Sequence, residues 1–76
     1  MVLIELYSKD DCCLCDEAKA VLLKVKKEIP FELREIKIQE DEHLLKEYGT
    51  KIPVVFINCR LAFKYHVYEL DLKEKL

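Results

Sequence analysis

Leu6-Tyr7-Ser8-Lys9-Asp10-Asp11-Cys12-Cys13-Leu14-Cys15-Asp16-Glu17-Ala18 leads out of an apolar segment, through a polar turn and a cysteine cluster, into a new periodicity. Upstream, Val2 to Tyr7 is a short apolar run with Val2, Ile4 and Leu6 on one face. It is too short for a helix and reads as a buried strand. Ser8-Lys9-Asp10-Asp11 is turn-forming. Downstream, Leu14, Ala18, Val21, Leu22, Val25 and Ile29 recur every three or four residues, with Lys19, Lys24, Lys26 and Lys27 on the other side. That spacing predicts an amphipathic helix with its lysines in solvent. Acids gather at its start and lysines at its end, as the helix dipole favours, and Pro30 stops it. The stretch is therefore a strand, a turn and a helix, with thiols at the helix start.

The rest of the chain follows in the same style. Phe31 to about Ile38 is a second strand, but Ile36 and Ile38 fall out of phase with Phe31 and Leu33, which predicts a bulge or strand end near Arg34-Glu35. Asp41 caps a short helix carrying Leu44, Leu45 and Tyr48 as core positions, closed by Gly49, the only glycine. Ile52-Pro53 opens Val54-Val55-Phe56-Ile57, a central strand by its continuous apolarity. Asn58-Cys59-Arg60 turns into Leu61-Ala62-Phe63-Lys64, a hairpin, and a last helix runs from about His66 to Leu76. The order β-α-β-α-β-β-α predicts an α/β fold: a mixed four-stranded sheet with helices on both faces, in a single domain over residues 1–76.

Composition bounds the function. The 76 residues are 51% hydrophobic and 37% charged, with one Gly and two Pro, so the chain is neither collagen-like nor low-complexity. A chain of this length buries only about 60% of its unfolded surface, so its core is small. Thirteen Lys and Arg against fifteen Asp and Glu give a net charge of −2, which argues against nucleic-acid and anionic-membrane partners. No apolar run approaches the ~20 residues of a membrane span. Met1-Val2-Leu3-Ile4-Glu5 has no basic segment and breaks at Glu5, so it does not read as a secretory leader. The expectation is a cytoplasmic, monomeric protein whose four cysteines stay reduced and do redox or metal chemistry.

Cys12 and Cys15 form a Cys-x-x-Cys pair between the first strand and the first helix, a redox dithiol by context. Unpaired N–H groups and the positive dipole end at a helix start stabilise a thiolate, the species that attacks disulfides. Cys12 is expected to be exposed and nucleophilic. Cys15, one turn on, is expected to be buried and to resolve a mixed disulfide. Lys9 and Lys51 favour the Cys12 thiolate, while Asp10, Asp11, Asp16 and Glu17 oppose it. Loop entropy agrees with function over stapling: closing Cys12 to Cys15 gives ~2 kcal/mol, and closing the longer loop to Cys59 would give ~4.

Leu6-Tyr7-Ser8-Lys9 before Cys12-Cys13-Leu14-Cys15-Asp16-Glu17-Ala18 resembles the opening of glutaredoxin-like proteins, and Tyr48-Gly49-Thr50-Lys51-Ile52-Pro53-Val54-Val55-Phe56-Ile57-Asn58 resembles their second signature. The resemblance covers nearly the whole chain. It implies a thioredoxin-like three-layer sandwich and a dithiol–disulfide oxidoreductase acting on protein disulfides or glutathione mixed disulfides. It implies no tightly bound cofactor, with glutathione as a co-substrate and a separate reductant as partner. It further implies that Pro53 is cis, that the Ile52 backbone faces the dithiol, and that Ile52 and Pro53 contact substrate; Lys9 and Lys51 are read apart from the resemblance as substrate-binding residues that steer an anionic substrate. Two departures mark an atypical branch: Cys13 stands where the family has Pro, and Ala62-Phe63-Lys64-Tyr65-His66-Val67 stands where it has a Gly-Gly glutathione motif.

The competing reading is a soft-metal module, binding Zn or Cu through Cys12, Cys13 and Cys15 or sharing an iron–sulfur cluster between two protomers. Against it, no second Cys-x-x-Cys or His pair completes four ligands. Cys13 is read as a surface residue, Cys59 as incidental at the sheet end opposite the dithiol, and His43 and His66 as surface or cap residues. Tyr65 and Tyr68 are read as packing residues. Tyr7 is expected either to pack at the strand end or to flank the site.

Overall fold

The computed structural model describes residues 2–76; Met1, the first residue of the expected domain, lies outside them. The elements are β1 (Leu3–Ser8), α1 (Cys13–Glu28), β2 (Glu32–Lys37), a 3-10 turn (Ile38–Glu40), α2 (Glu42–Tyr48), β3 (Val54–Ile57), β4 (Arg60–Lys64) and α3 (Glu69–Lys75). The sheet order is β2-β1-β3-β4, with β1 parallel to β2 and antiparallel to β3, and β3 antiparallel to β4. The expected element order and mixed sheet are both present.

One face of the sheet builds the core. Ile4 and Leu6 of β1, Val55 and Ile57 of β3 and Phe63 of β4 pack with Ala18, Leu22 and Val25 of α1 and Leu72 of α3. Lys24–Glu69 (3.0 Å) and Lys73–Glu28 (2.7 Å) tie α3 to α1 at the surface. The opposite face carries Tyr7 and Phe56, on which Tyr48 of α2 packs at ring-centroid distances of 5.1 and 6.3 Å. Three layers result.

Four expectations need correction. β2 has neither bulge nor early end: it stays in register with β1 from Leu3↔Glu32 to Ser8↔Lys37. Regular alternation sends Leu33, Glu35 and Lys37 to the α1 side and Ile36 to the other, and the 3-10 turn then carries Ile38 into full burial. Charges are tolerated on the inner side because β2 is an edge strand, where Lys19 and Lys37 reach Glu35 at 3.3 and 3.6 Å. Leu14, expected in the core, is 37% exposed, because in α1's first turn it is the neighbouring Cys15 (3% exposed) that turns inward.

Helix α2 buries none of its residues, so Leu44, Leu45 and Tyr48 are not core positions; Leu45 is exposed. Asp41 does cap α2, accepting from the His43 and Leu44 N–H groups at 2.9 and 3.3 Å. Gly49 follows it in a right-handed conformation (φ −53°, ψ −31°), so its smallness serves space and not a left-handed cap: a Cβ there would meet the Leu45 carbonyl. The last helix starts at Glu69, not near His66, because residues 65–68 form a turn and an extended segment that buries Val67.

The β3–β4 loop is two residues long, Asn58 and Cys59, at φ 50° and 67°. Positive φ at both is what a type I′ turn requires. Asn58 is braced by β1: it donates to the Leu3 carbonyl (2.8 Å), and its Oδ1 accepts from the Leu3 N–H (3.0 Å). The register places this loop at the end of the sheet away from the cysteine cluster, as expected for Cys59.

Candidate functional site

The C-terminal end of β1, the start of α1 and the start of β3 lie at one end of the sheet. The pair Tyr7↔Val54 sets Pro53 level with the chain leaving β1 toward Cys12. Ile52-Pro53 is cis, as the resemblance implied. Pro53 is fully buried, Ile52 half-buried, and among the described residues no hydrogen bond occupies the Ile52 N–H or C=O. Those two groups remain available to a ligand chain.

Cys12 is the N-cap of α1, in extended conformation (φ −113°, ψ 108°), and is half-buried. Its Sγ accepts from the Cys15 N–H at 3.3 Å, one of the helix's orphan donors. Cys15 is only 3% exposed. Burial pushes its thiol up to about 12, and the hydrogen bond to Cys12 adds to the rise, while the Lys9 backbone amide pulls it down. Cys13 is exposed. Among the described residues no three His, Cys, Asp or Glu side chains converge as a metal site, since Cys15 turns inward and Cys13 outward.

The raised thiol makes stability depend on pH. The unfolded thiol ionises near 9.0, whereas the folded one stays protonated to about 12. A raised folded value means stability is fully present below the unfolded value and is lost as pH rises toward the folded one. Urea midpoints of the reduced protein are therefore expected to fall between about pH 9 and about pH 12, more steeply than those of Cys15→Ala. Parallel pH profiles for the two proteins would contradict the assignment.

Lys9 and Lys51 are both exposed and make no ion pair among the described residues. Lys9 reaches the dithiol through its backbone, at Cys15. Lys51 uses its N–H to close α2 on the Tyr48 carbonyl (2.9 Å). Tyr7 packs under α2, 5.2 Å from Phe56, rather than lining the dithiol.

Sequence reasoning misses what holds the dithiol loop. The Asp10 N–H donates to Gln39 Oε1 (2.6 Å), Gln39 Nε2 donates back to Asp10 Oδ2 (2.7 Å), and Lys37 Nζ pairs with Asp10 Oδ1 (3.3 Å). Gln39, foremost, and Lys37 hold the Asp10 carboxyl below its ordinary range. Burial pulls Lys37 down, but Asp10 and Glu35 outweigh it and its value is raised. Asp10, expected to oppose the thiolate, is thus already engaged. Beside the latch, Asp11 sits at φ 59° in the turn. The latch's partners are 29 residues apart, and no local signal marks them.

Tyr65 and Tyr68 are not the packing residues that the sequence suggests. They are 45% and 59% exposed. Together with Leu14, Glu17, Val21 and His66 they line a cleft of about 140 Å³ beside the first turns of α1. Two wider hollows, about 570 and 600 Å³, lie along β4 and α3, and none of their lining residues belongs to the cysteine loop or Ile52-Pro53.

Comparison with known proteins agrees with this geometry. The sequence profile of the family described as Glutaredoxin-like domain (DUF836) matches residues 3–76. Protein Ne2328 from Nitrosomonas europaea is 28% identical, with a TM-score of 0.82, covering 99% of this chain and 91% of that one. Target protein XcR50 from X. campestris is 25% identical, with a TM-score of 0.79, covering 95% and 92%. A mutant thioredoxin from Halobacterium salinarum is 20% identical, with a TM-score of 0.67, covering 97% and 70%, and shows likeness of fold alone. The three-layer α/β architecture is thioredoxin-like.

Proposed function

The chain belongs to the glutaredoxin-like domain family, and from that membership we propose that it is a dithiol–disulfide oxidoreductase working through Cys12 and Cys15. The observation that carries the reading is the unequal burial of two hydrogen-bonded cysteines at one helix start. Cys12 is half-exposed at the N-cap of α1, and Cys15, one turn on, is buried and protonated at neutral pH.

The Cys12 thiolate attacks one sulfur of a substrate disulfide. The Cys12–sulfur bond forms as the substrate S–S bond breaks, and the departing thiolate takes a proton. Cys15 then gives up its proton and attacks Cys12 Sγ. The Cys12–Cys15 disulfide forms, and the second substrate thiol leaves. Two electrons have passed to the substrate, and a separate dithiol or glutathione reductant returns them. The substrate is a protein disulfide or a glutathione mixed disulfide. Its chain lies along Ile52-Pro53, with Lys9 and Lys51 beside it. The protein acts as a monomer in the reducing cytoplasm, without a tightly bound cofactor. Among the described residues no helix is long and apolar enough to cross a membrane.

A soft-metal site is the weaker reading, because Cys13 diverges from Cys12 and Cys15. The test is to mix reduced protein with a disulfide, quench with an alkylating reagent and map the cysteines. The expected result is one Cys12–Cys15 disulfide formed for every two thiols released. Four cysteines still free after excess disulfide would overturn the reading.

A further inference from the structure

Tyr65 occupies a backbone conformation that a tyrosine adopts only under strain. Its φ is 67°, and it centres a three-residue turn closed by the His66 N–H donating to the Lys64 carbonyl (2.7 Å). This is the rarer, strained hand of γ-turn, and a bulky residue there is an outlier. Main-chain groups make both hydrogen bonds at this turn, the second being the Tyr65 N–H to the Pro53 carbonyl (2.8 Å). A glycine would form both without strain. What tyrosine adds is its ring, and with the residue 45% exposed, burial in the core does not account for it. Strain held by the surrounding fold at such a position points to function.

Tyr65 lines the cleft at the first turns of α1. Leu14, which sits between Cys13 and Cys15, lines the same cleft and is 37% exposed. The cleft holds about 140 Å³, on the order of four or five waters at ~30 Å³ each. That is room for one leucyl or phenyl side chain. Charge points the same way. Glutathione brings two carboxylates, and among the residues lining the cleft Glu17 carries a like charge that no Lys or Arg offsets. Neither Lys9 nor Lys51 lines it.

We infer that Tyr65 and Leu14 are specificity-determining residues, receiving one large apolar side chain next to the cysteine of a polypeptide disulfide and so favouring such disulfides over glutathione disulfide. The inference rests on the disulfide-reductase reading above, and the electrons move as described there. The apolar neighbour enters the cleft while the substrate cysteine meets Cys12.

The test measures kcat/KM for four probes: a small uncharged disulfide, glutathione disulfide, a peptide disulfide with Leu beside each cysteine, and the same peptide with Ser there. The wild type is expected to favour the Leu peptide over the Ser peptide by about tenfold or more and to use glutathione disulfide more slowly than the Leu peptide. Tyr65→Gly and Leu14→Ser are each expected to bring the Leu-to-Ser ratio close to one, while Tyr65→Phe keeps it. The thermal midpoint of Tyr65→Gly is expected to stay level or rise as the strain is released. A wild-type ratio near one, a ratio unmoved in Tyr65→Gly, or glutathione disulfide as the faster substrate would overturn the inference while leaving the reductase reading in place. A wild type inert even toward the small disulfide would overturn both.

Discussion

Cys12→Ser is expected to bring disulfide turnover down to the uncatalysed background, while Cys15→Ser stops after the first half of the reaction with the substrate still attached. The two cysteines differ in what they can reach. Cys12 caps α1 with its sulfur half-exposed, while Cys15 is 3% exposed and protonated to about pH 12. A serine hydroxyl at position 12 has no thiolate to offer, so no mixed disulfide forms. With Ser at position 15, Cys12 still attacks, but nothing within reach displaces the product. The intact mass then rises by one substrate half for each chain. Cys13→Ser and Cys59→Ser serve as controls, since Cys13 points outward and Cys59 lies at the far end of the sheet. Full turnover in Cys12→Ser, or a mixed disulfide mapped to Cys13, would assign the chemistry to the wrong sulfur.

Leu22→Ala is expected to cost about 2–5 kcal/mol, a large part of the ~4–11 kcal/mol that a domain of this size commands. Leu22 is wholly buried where α1 crosses the sheet, among Ile4, Leu6, Val25 and Leu72. Truncation removes its transfer free energy and leaves a cavity that a small two-sided core closes only in part. Leu23, the next residue along the same helix, is 43% exposed. Leu23→Ala is expected to stay within ~0.5 kcal/mol of the wild type. Urea unfolding of the two variants side by side makes the comparison. A loss below about 1 kcal/mol in Leu22→Ala, against the range typical of such truncations, would mean that α1 does not carry the core.

The site is legible where its chemistry is local. A Cys-x-x-Cys at a strand-to-helix junction names both thiols and their order of exposure, because one helical turn separates the capping position from an inward-facing one. The cis Ile52-Pro53 bond follows from family resemblance and not from the residues themselves. The latch of Asp10 with Gln39 and Lys37 is not legible, since hydrogen bonds between distant elements leave no periodic trace. Leu14, Tyr65 and Tyr68 read as packing residues because an apolar side chain looks the same in sequence whether it is covered or lines an open cleft.

The same division runs through the fold. Periodicity, capping residues and proline act within a few residues, so the sequence by itself determined the element order, the span of α1, the Asp41 cap and the dithiol at a helix start. Burial depends on which elements come to lie above a residue. Only the tertiary structure decided that β2 runs unbroken along an edge, that α2 buries nothing, and that Leu14 is left exposed. It alone brought Tyr65, held at positive φ by the Pro53 carbonyl, to the wall of a cleft opened by α1. Those outcomes are set by contacts between residues dozens of positions apart, and no local pattern encodes them.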